Sequence, residues 1–144
     1  MRLLALALLV TVTAVVAYKA HDATSARLST IRVGGTLATY DQQEDGKPGH
    51  VSDRSEESWW LKDRHGKKIG RLFFVCRWVT QVQRFCVGNI RLPLGALTLS
   101  GVTASEFGGT YAITGGTGRY VGSDGQAAYV TTGLSRMILT VTLI

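Results

Sequence analysis

From residue 29 onward, hydrophobic positions alternate with polar ones in short runs separated by Gly, Asp, Asn and Pro. A spacing of two is the period of a half-buried strand. Nowhere do apolar residues recur at three and four over the roughly ten positions that a helix needs. Eight runs read as strands: IRVGGTLATY (31–40), ESWWLKD (57–63), IGRLFFVCRWV (69–79), VQRFCVGNIRL (82–92), ALTLSGV (96–102), GTYAIT (109–114), GQAAYVTT (125–132) and RMILTVTLI (136–144). Residues 41–56 read as one long polar loop, and the other links are short. Short links favour antiparallel neighbours, and eight such strands lose their exposed edges by closing on themselves. The chain is therefore expected to be all-β, an eight-stranded antiparallel barrel over residues 31–144.

Alternation also predicts which side chains face inward. In 69–79, Leu72, Phe74, Cys76 and Trp78 share one face, and Arg71 and Arg77 the other. A hairpin turning around Gln81 sets Cys76 opposite Cys86 and Trp78 opposite Arg84. The cysteines are then either a cross-strand disulfide or two buried thiols. Arg84 either enters the lumen, where a guanidinium must be paired or stacked, or points to solvent after a slip of one residue. In the last strand the apolar set Met137, Leu139, Val141 and Leu143 faces in. Over 125–132 the pattern is weaker, with Ala127, Tyr129 and Thr131 opposing Ala128 and Val130.

The start of the chain has a different build. Arg2 precedes LLALALLVTVTAVVAY (3–18), an uncharged run short of the about 20 residues that span a bilayer comfortably. Residues 1–20 read as a signal peptide or a membrane anchor, and 21–30 as a tether. Both readings put the barrel outside the cytoplasm, secreted or anchored through residues 3–18. In an oxidising compartment two cysteines more often pair than bind metal. With neither CxxC spacing nor a companion histidine, nothing nominates a metal site.

A net charge of +6 raises the question of an anionic partner. The basic residues Lys62, Arg64, Lys67, Lys68 and Arg71 gather around the turn DRHGKKIG. No recognition helix or aromatic-spaced RNA motif accompanies them, so a solvated hairpin end is expected and nucleic acid is not.

The stretch AITGGTGRYVGSDGQ (112–126) invites comparison with phosphate-binding loops. Gly116, Gly118 and Gly122 are spaced one residue too widely for a dinucleotide fingerprint, and a β-type run follows where a helix should open. The Gly-Lys-Ser/Thr close of a P-loop is missing. Neither a G-x-S-x-G elbow nor H-E-x-x-H occurs.

The order of features from Gly66 to Gln126 carries a resemblance. HGKKIG, two long strands, LPLGALTLSG, a short strand and then AITGGTGRYVGSDGQ resemble the dirigent and allene oxide cyclase-like barrel superfamily. The likeness covers about half the chain, and the Gly-rich segment is its specific part. It implies an eight-stranded barrel with an apolar lumen, assembly into dimers or trimers, and work without a cofactor. NIRLPLG and GRYVGSDGQAAYVTTG are most similar to short bacterial polyketide cyclases of the spirotetronate, Diels-Alderase type. The expected activity is thus folding of a linear, mostly apolar precursor for ring closure such as a [4+2] cycloaddition. The alternatives are a non-catalytic barrel that binds a hydrophobic ligand, and dirigent-like steering of phenoxy-radical coupling.

The resemblance places Tyr129 where those cyclases carry a pocket aromatic, and their second pocket tyrosine falls near Phe85 or Cys86. Combined with inward parity, the expected catalytic residues are Tyr129 and Arg84, either of which would polarise a carbonyl. Trp78, Phe74, Phe85 and Met137 are expected to shape the substrate cavity, with Tyr40, Trp59 and Trp60 near its mouth.

Overall fold

The computed structural model describes residues 29–43, 51, 53–105 and 107–144. The leader (1–20), most of the tether and part of the long polar loop lie outside the described residues. Eight strands follow in order: β1 Ser29–Gln43, β2 Arg54–Lys62, β3 Lys68–Trp78, β4 Arg84–Leu92, β5 Gly95–Thr103, β6 Gly108–Gly116, β7 Gly125–Gly133 and β8 Arg136–Leu143. Each pairs antiparallel with its sequence neighbours, and β1 also pairs with β8, from Ser29↔Leu143 to Thr36↔Arg136. The barrel is closed, as the alternation predicts.

Two strands run further than their apolar content suggests. β1 continues to Gln43 and β2 starts at Arg54, with Tyr40↔Glu57 and Gln43↔Arg54 in register. Backbone ladder bonds do not require apolar side chains, so the ribbon extends through a segment that reads as loop.

The lumen is filled along most of its length. Leu61, Leu72, Ile90, Leu97 and Cys86 are fully buried, and Phe74, Leu99, Tyr111, Ala127, Met137, Leu139 and Val141 nearly so. Phe74, Tyr111 and Tyr129 meet across the bore, with centroids 4.8 Å apart for Phe74–Tyr111, 5.5 Å for Phe74–Tyr129 and 5.9 Å for Tyr111–Tyr129. Gly88, opposite Phe74 on β4, leaves room for this cluster: a Cβ there would sit 2.6 Å from the Phe74 ring.

The Gly-rich segment is a corner of the barrel. A single 3-10 turn, Gly118–Tyr120, follows β6 and braces the β4–β5 turn, with Thr117 N–H donating to the Ala96 carbonyl and Arg119 N–H to that of Leu94, both at 2.8 Å. Gly118 has φ +61°, and a Cβ on it would lie 2.3 Å from the Leu94 carbonyl oxygen. Only glycine fits so close a backbone crossing. The glycine that looks like a phosphate cradle is a steric requirement of the corner.

The turn carrying the basic cluster is exposed and organised by Asp63, whose carboxylate accepts from the backbone N–H groups of His65 and Lys67. These bonds hold the Asp63 carboxyl below the usual carboxylate range, although desolvation opposes them. Lys68 and Arg71 lie over the outer face of Trp60, 4.3 and 4.9 Å from its ring centroid.

Candidate functional site

The two ends of the barrel differ. The basic turn, the Gly-rich corner and the first residue of β1 share one end; the other opens into a cavity of about 520 Å³. Its walls are Leu37 and Tyr40 of β1, Glu57 and Trp59 of β2, Arg84 of β4, Phe107 of the β5–β6 loop, Thr131 and Gly133 of β7, and Leu134 of the β7–β8 turn. Leu134, Phe107 and Tyr40 are exposed around the mouth, whereas Trp59, Glu57 and Arg84 are buried.

The deepest lining is polar. β3 and β4 pair Cys76 with Cys86 and Trp78 with Arg84, so Arg84 shares the inward face of Cys86. It is 2% exposed and reaches into the lumen. One Nη lies 3.7 Å from Glu57 Oε1; the other donates to the Ser105 carbonyl at 3.2 Å and, over a longer 3.5 Å, to the Tyr129 hydroxyl. The buried Arg84 Nε makes no hydrogen bond among the described residues. Glu57 is fixed from its other oxygen, which accepts the Trp59 indole N–H at 3.0 Å. The guanidinium is thus held by a carboxylate, a carbonyl and a phenol instead of by a stack on Trp78.

Tyr111 and Tyr129 form the layer beneath. Burial raises both phenols above the ordinary tyrosine value, Tyr129 far above it; the Glu57 charge adds to the shift, and the Arg84 charge opposes it. Both are therefore neutral donors throughout the physiological range. Tyr129 is not among the residues lining the cavity, and its hydroxyl meets Arg84 from the core side.

The other expected cavity residues divide by depth and by face. Tyr40 lines the mouth as expected. Phe74 and Met137 face inward but belong to the packed core, and Trp78 is half-buried and outside the cavity lining. Phe85 and Trp60 face outward, as corrections to the expectation: a strand that turns Arg84 inward must turn Phe85 out, and Trp59 inward turns Trp60 out. Phe85, 43% exposed, joins Phe73, Val87 and Val102 in an apolar strip on the outer wall, with Phe85↔Val102 in register between β4 and β5.

Cys76 and Cys86 form a disulfide, which settles the open alternative between a bond and two thiols. Among the described residues no group of three His, Cys, Asp or Glu side chains is arranged to hold a metal ion.

Trp59, expected near the mouth, stands in the cavity wall, whereas Glu57, Phe107 and Leu134 were not expected in the site. Glu57 had a signal: Glu57, Trp59 and Leu61 alternate on one face of ESWWLKD, with a carboxylate on the apolar side. Phe107 and Leu134 lie in connections, where parity carries no information.

Neither a protein-family model nor a curated protein matches the sequence. Solved structures do match. Pyocyanin demethylase superposes with a TM-score of 0.73 at 26% identity, over 81% of this chain and 100% of that one. The Diels-Alderase AbmU from Streptomyces koyangensis gives 0.70 at 18% identity, over 81% of this chain and 63% of its own. The pterocarpan synthase dirigent protein GePTS1 gives 0.66 at 13% identity, over 81% and 84%. The closed eight-strand topology and these likenesses give the chain the same barrel fold as these three proteins.

Proposed function

We propose that the chain is a cyclase-type enzyme that needs no cofactor: a linear, mostly apolar precursor, of polyketide type, folds within the cavity and closes a ring, as in a [4+2] cycloaddition. One observation carries the reading. A cavity of about 520 Å³ has apolar walls and a buried Arg84–Glu57 floor, a common build of small-molecule sites. The walls restrict the chain to folded shapes, and holding reacting carbons in a near-attack geometry lowers a barrier by up to about 7–11 kcal/mol in ideal cases. Arg84 donates to a carbonyl conjugated with the accepting double bond and stabilises charge that builds there. Tyr129 and Ser105 hold the guanidinium in place.

The test is incubation with a panel of linear polyenes bearing a conjugated carbonyl. Conversion to products of unchanged mass, slowed roughly tenfold or more in Arg84→Leu, is the expected result. Saturable binding with no conversion of any member would favour the non-catalytic carrier.

A second reading is favoured by the likeness to pyocyanin demethylase, which extends over 100% of that chain. In it the same cavity takes pyocyanin. Incubation with pyocyanin separates the two, because loss of its methyl group gives a lighter product and ring closure leaves mass unchanged.

The barrel's location is proposed to be outside the cytoplasm, secreted or held through residues 3–18. The Cys76–Cys86 bond supports an oxidising compartment. Self-association into dimers or trimers would cover the Phe73, Phe85, Val87 and Val102 strip, and light scattering on Phe85→Glu beside the unaltered chain measures it.

A further inference from the structure

The floor of the cavity has two halves of opposite hydrogen-bonding character. Arg84 can only donate, and the ionised carboxylate of Glu57 can only accept. They lie side by side, Nη1 to Oε1 3.7 Å, and both line the same cavity. The rest of the lining offers little polar competition. The Trp59 N–H is committed to Glu57 at 3.0 Å, the Tyr40 hydroxyl donates to Gln42 Oε1 at 2.6 Å, and the Thr131 hydroxyl donates to the Phe107 carbonyl at 2.9 Å. Leu37, Phe107 and Leu134 supply apolar wall.

Charge further narrows the ligand. A carboxylate or phosphate would gain at Arg84 and lose at Glu57, and an ammonium would do the reverse. At a buried site such mismatches are costly. A neutral group with a donor beside an acceptor satisfies both halves.

We propose that the site recognises a neutral donor–acceptor edge, an N–H or O–H adjacent to a carbonyl, on an apolar skeleton, as in a lactam or an enolised hydroxy-ketone. The donor faces Glu57 and the carbonyl faces Arg84. This rests on the cavity being the ligand site proposed above, and it adds which end of the ligand lies at the floor. Recognition of such an edge is more demanding than filling a greasy cavity: an N–H placed against the carboxylate adds a hydrogen bond, and a methyl group in its place adds none.

The experiment uses three bicyclic probes of nearly equal shape: 2-quinolinone, which has the N–H/C=O edge; N-methyl-2-quinolinone, in which the donor is blocked; and coumarin, in which it is replaced by oxygen. Binding to the unaltered protein is measured by titration calorimetry. The expected result is that 2-quinolinone binds roughly tenfold or more tightly than either of the others, and that Glu57→Leu abolishes the preference. Equal binding of all three to the unaltered protein overturns the edge while leaving the cavity a ligand site. Binding of none overturns both. A preference that survives in Glu57→Leu overturns the assignment to Glu57. If that variant does not fold, the comparison of probes on the unaltered chain still decides.

Discussion

Arg84 donates to the Ser105 carbonyl at 3.2 Å, so the side chain that floors the cavity also ties down the loop carrying Phe107 at its mouth. The same carbonyl accepts from the Thr103 hydroxyl, and the Phe107 carbonyl accepts from Thr131 N–H at 2.7 Å. The loop is thus fastened on both sides. Arg84→Lys keeps the charge but loses the fork that faces Glu57 with one nitrogen and serves Ser105 and Tyr129 with the other. Hydrogen exchange is expected to accelerate at residues 104–108 while the β3 and β4 amides stay protected. Unchanged exchange would show that Thr103 and Thr131 hold the loop by themselves.

The Glu57–Arg84 pair is buried on both sides, and a buried ion left alone is worse than none. Arg84→Leu or Glu57→Leu singly is expected to cost about 3 kcal/mol or more, and the double variant to recover much of that. Urea unfolding of the four proteins checks this. Strict additivity of the two single losses would mean that the pair is not coupled in the folded state.

The Cys76–Cys86 bond joins directly opposed positions of β3 and β4 inside the lumen, 10 residues apart. Because it closes a short loop, its removal in Cys76→Ser/Cys86→Ser is expected to cost about 2–3 kcal/mol. Both residues are buried, so a thiol reductant should release free thiols only once denaturant opens the barrel. Thiol titration at rising denaturant follows this, and release from the native protein would contradict the burial.

Alkaline pH should unfold the barrel through its tyrosines. Burial raises the Tyr111 and Tyr129 phenols above the usual 10.0. As pH rises past that value, the unfolded chain loses protons that the folded one keeps, so stability falls with each further increase. Below it both states hold their protons, and the contribution is flat. Tyr111→Phe/Tyr129→Phe is expected to unfold less steeply above about pH 10 than the unaltered protein. Melting temperature against pH reads the difference.

The strands and their faces were legible because both depend on a local period. Leu72, Phe74, Cys76, Met137, Leu139 and Val141 all face inward as alternation requires, and one turn position sufficed to oppose Cys76 with Cys86 and Trp78 with Arg84. Depth along the barrel axis was not legible. Whether an inward side chain reaches the cavity, as Trp59 does, or packs into the plug, as Phe74 does, depends on strand tilt and closure, which involve all eight strands at once. Phe85 shows a different limit. A position carried over from resemblance conflicted with the parity of its own neighbour, and parity prevailed.

Among the described residues, the aromatic plug of Phe74, Tyr111 and Tyr129 separates the cavity from the far end of the bore. At the far end a second hollow, of about 440 Å³, shares none of its lining residues with the first. Under the proposed function, precursor and product would share the end of the barrel where Phe107 and Leu134 stand. A product slow to leave would then compete with the next precursor for the same space.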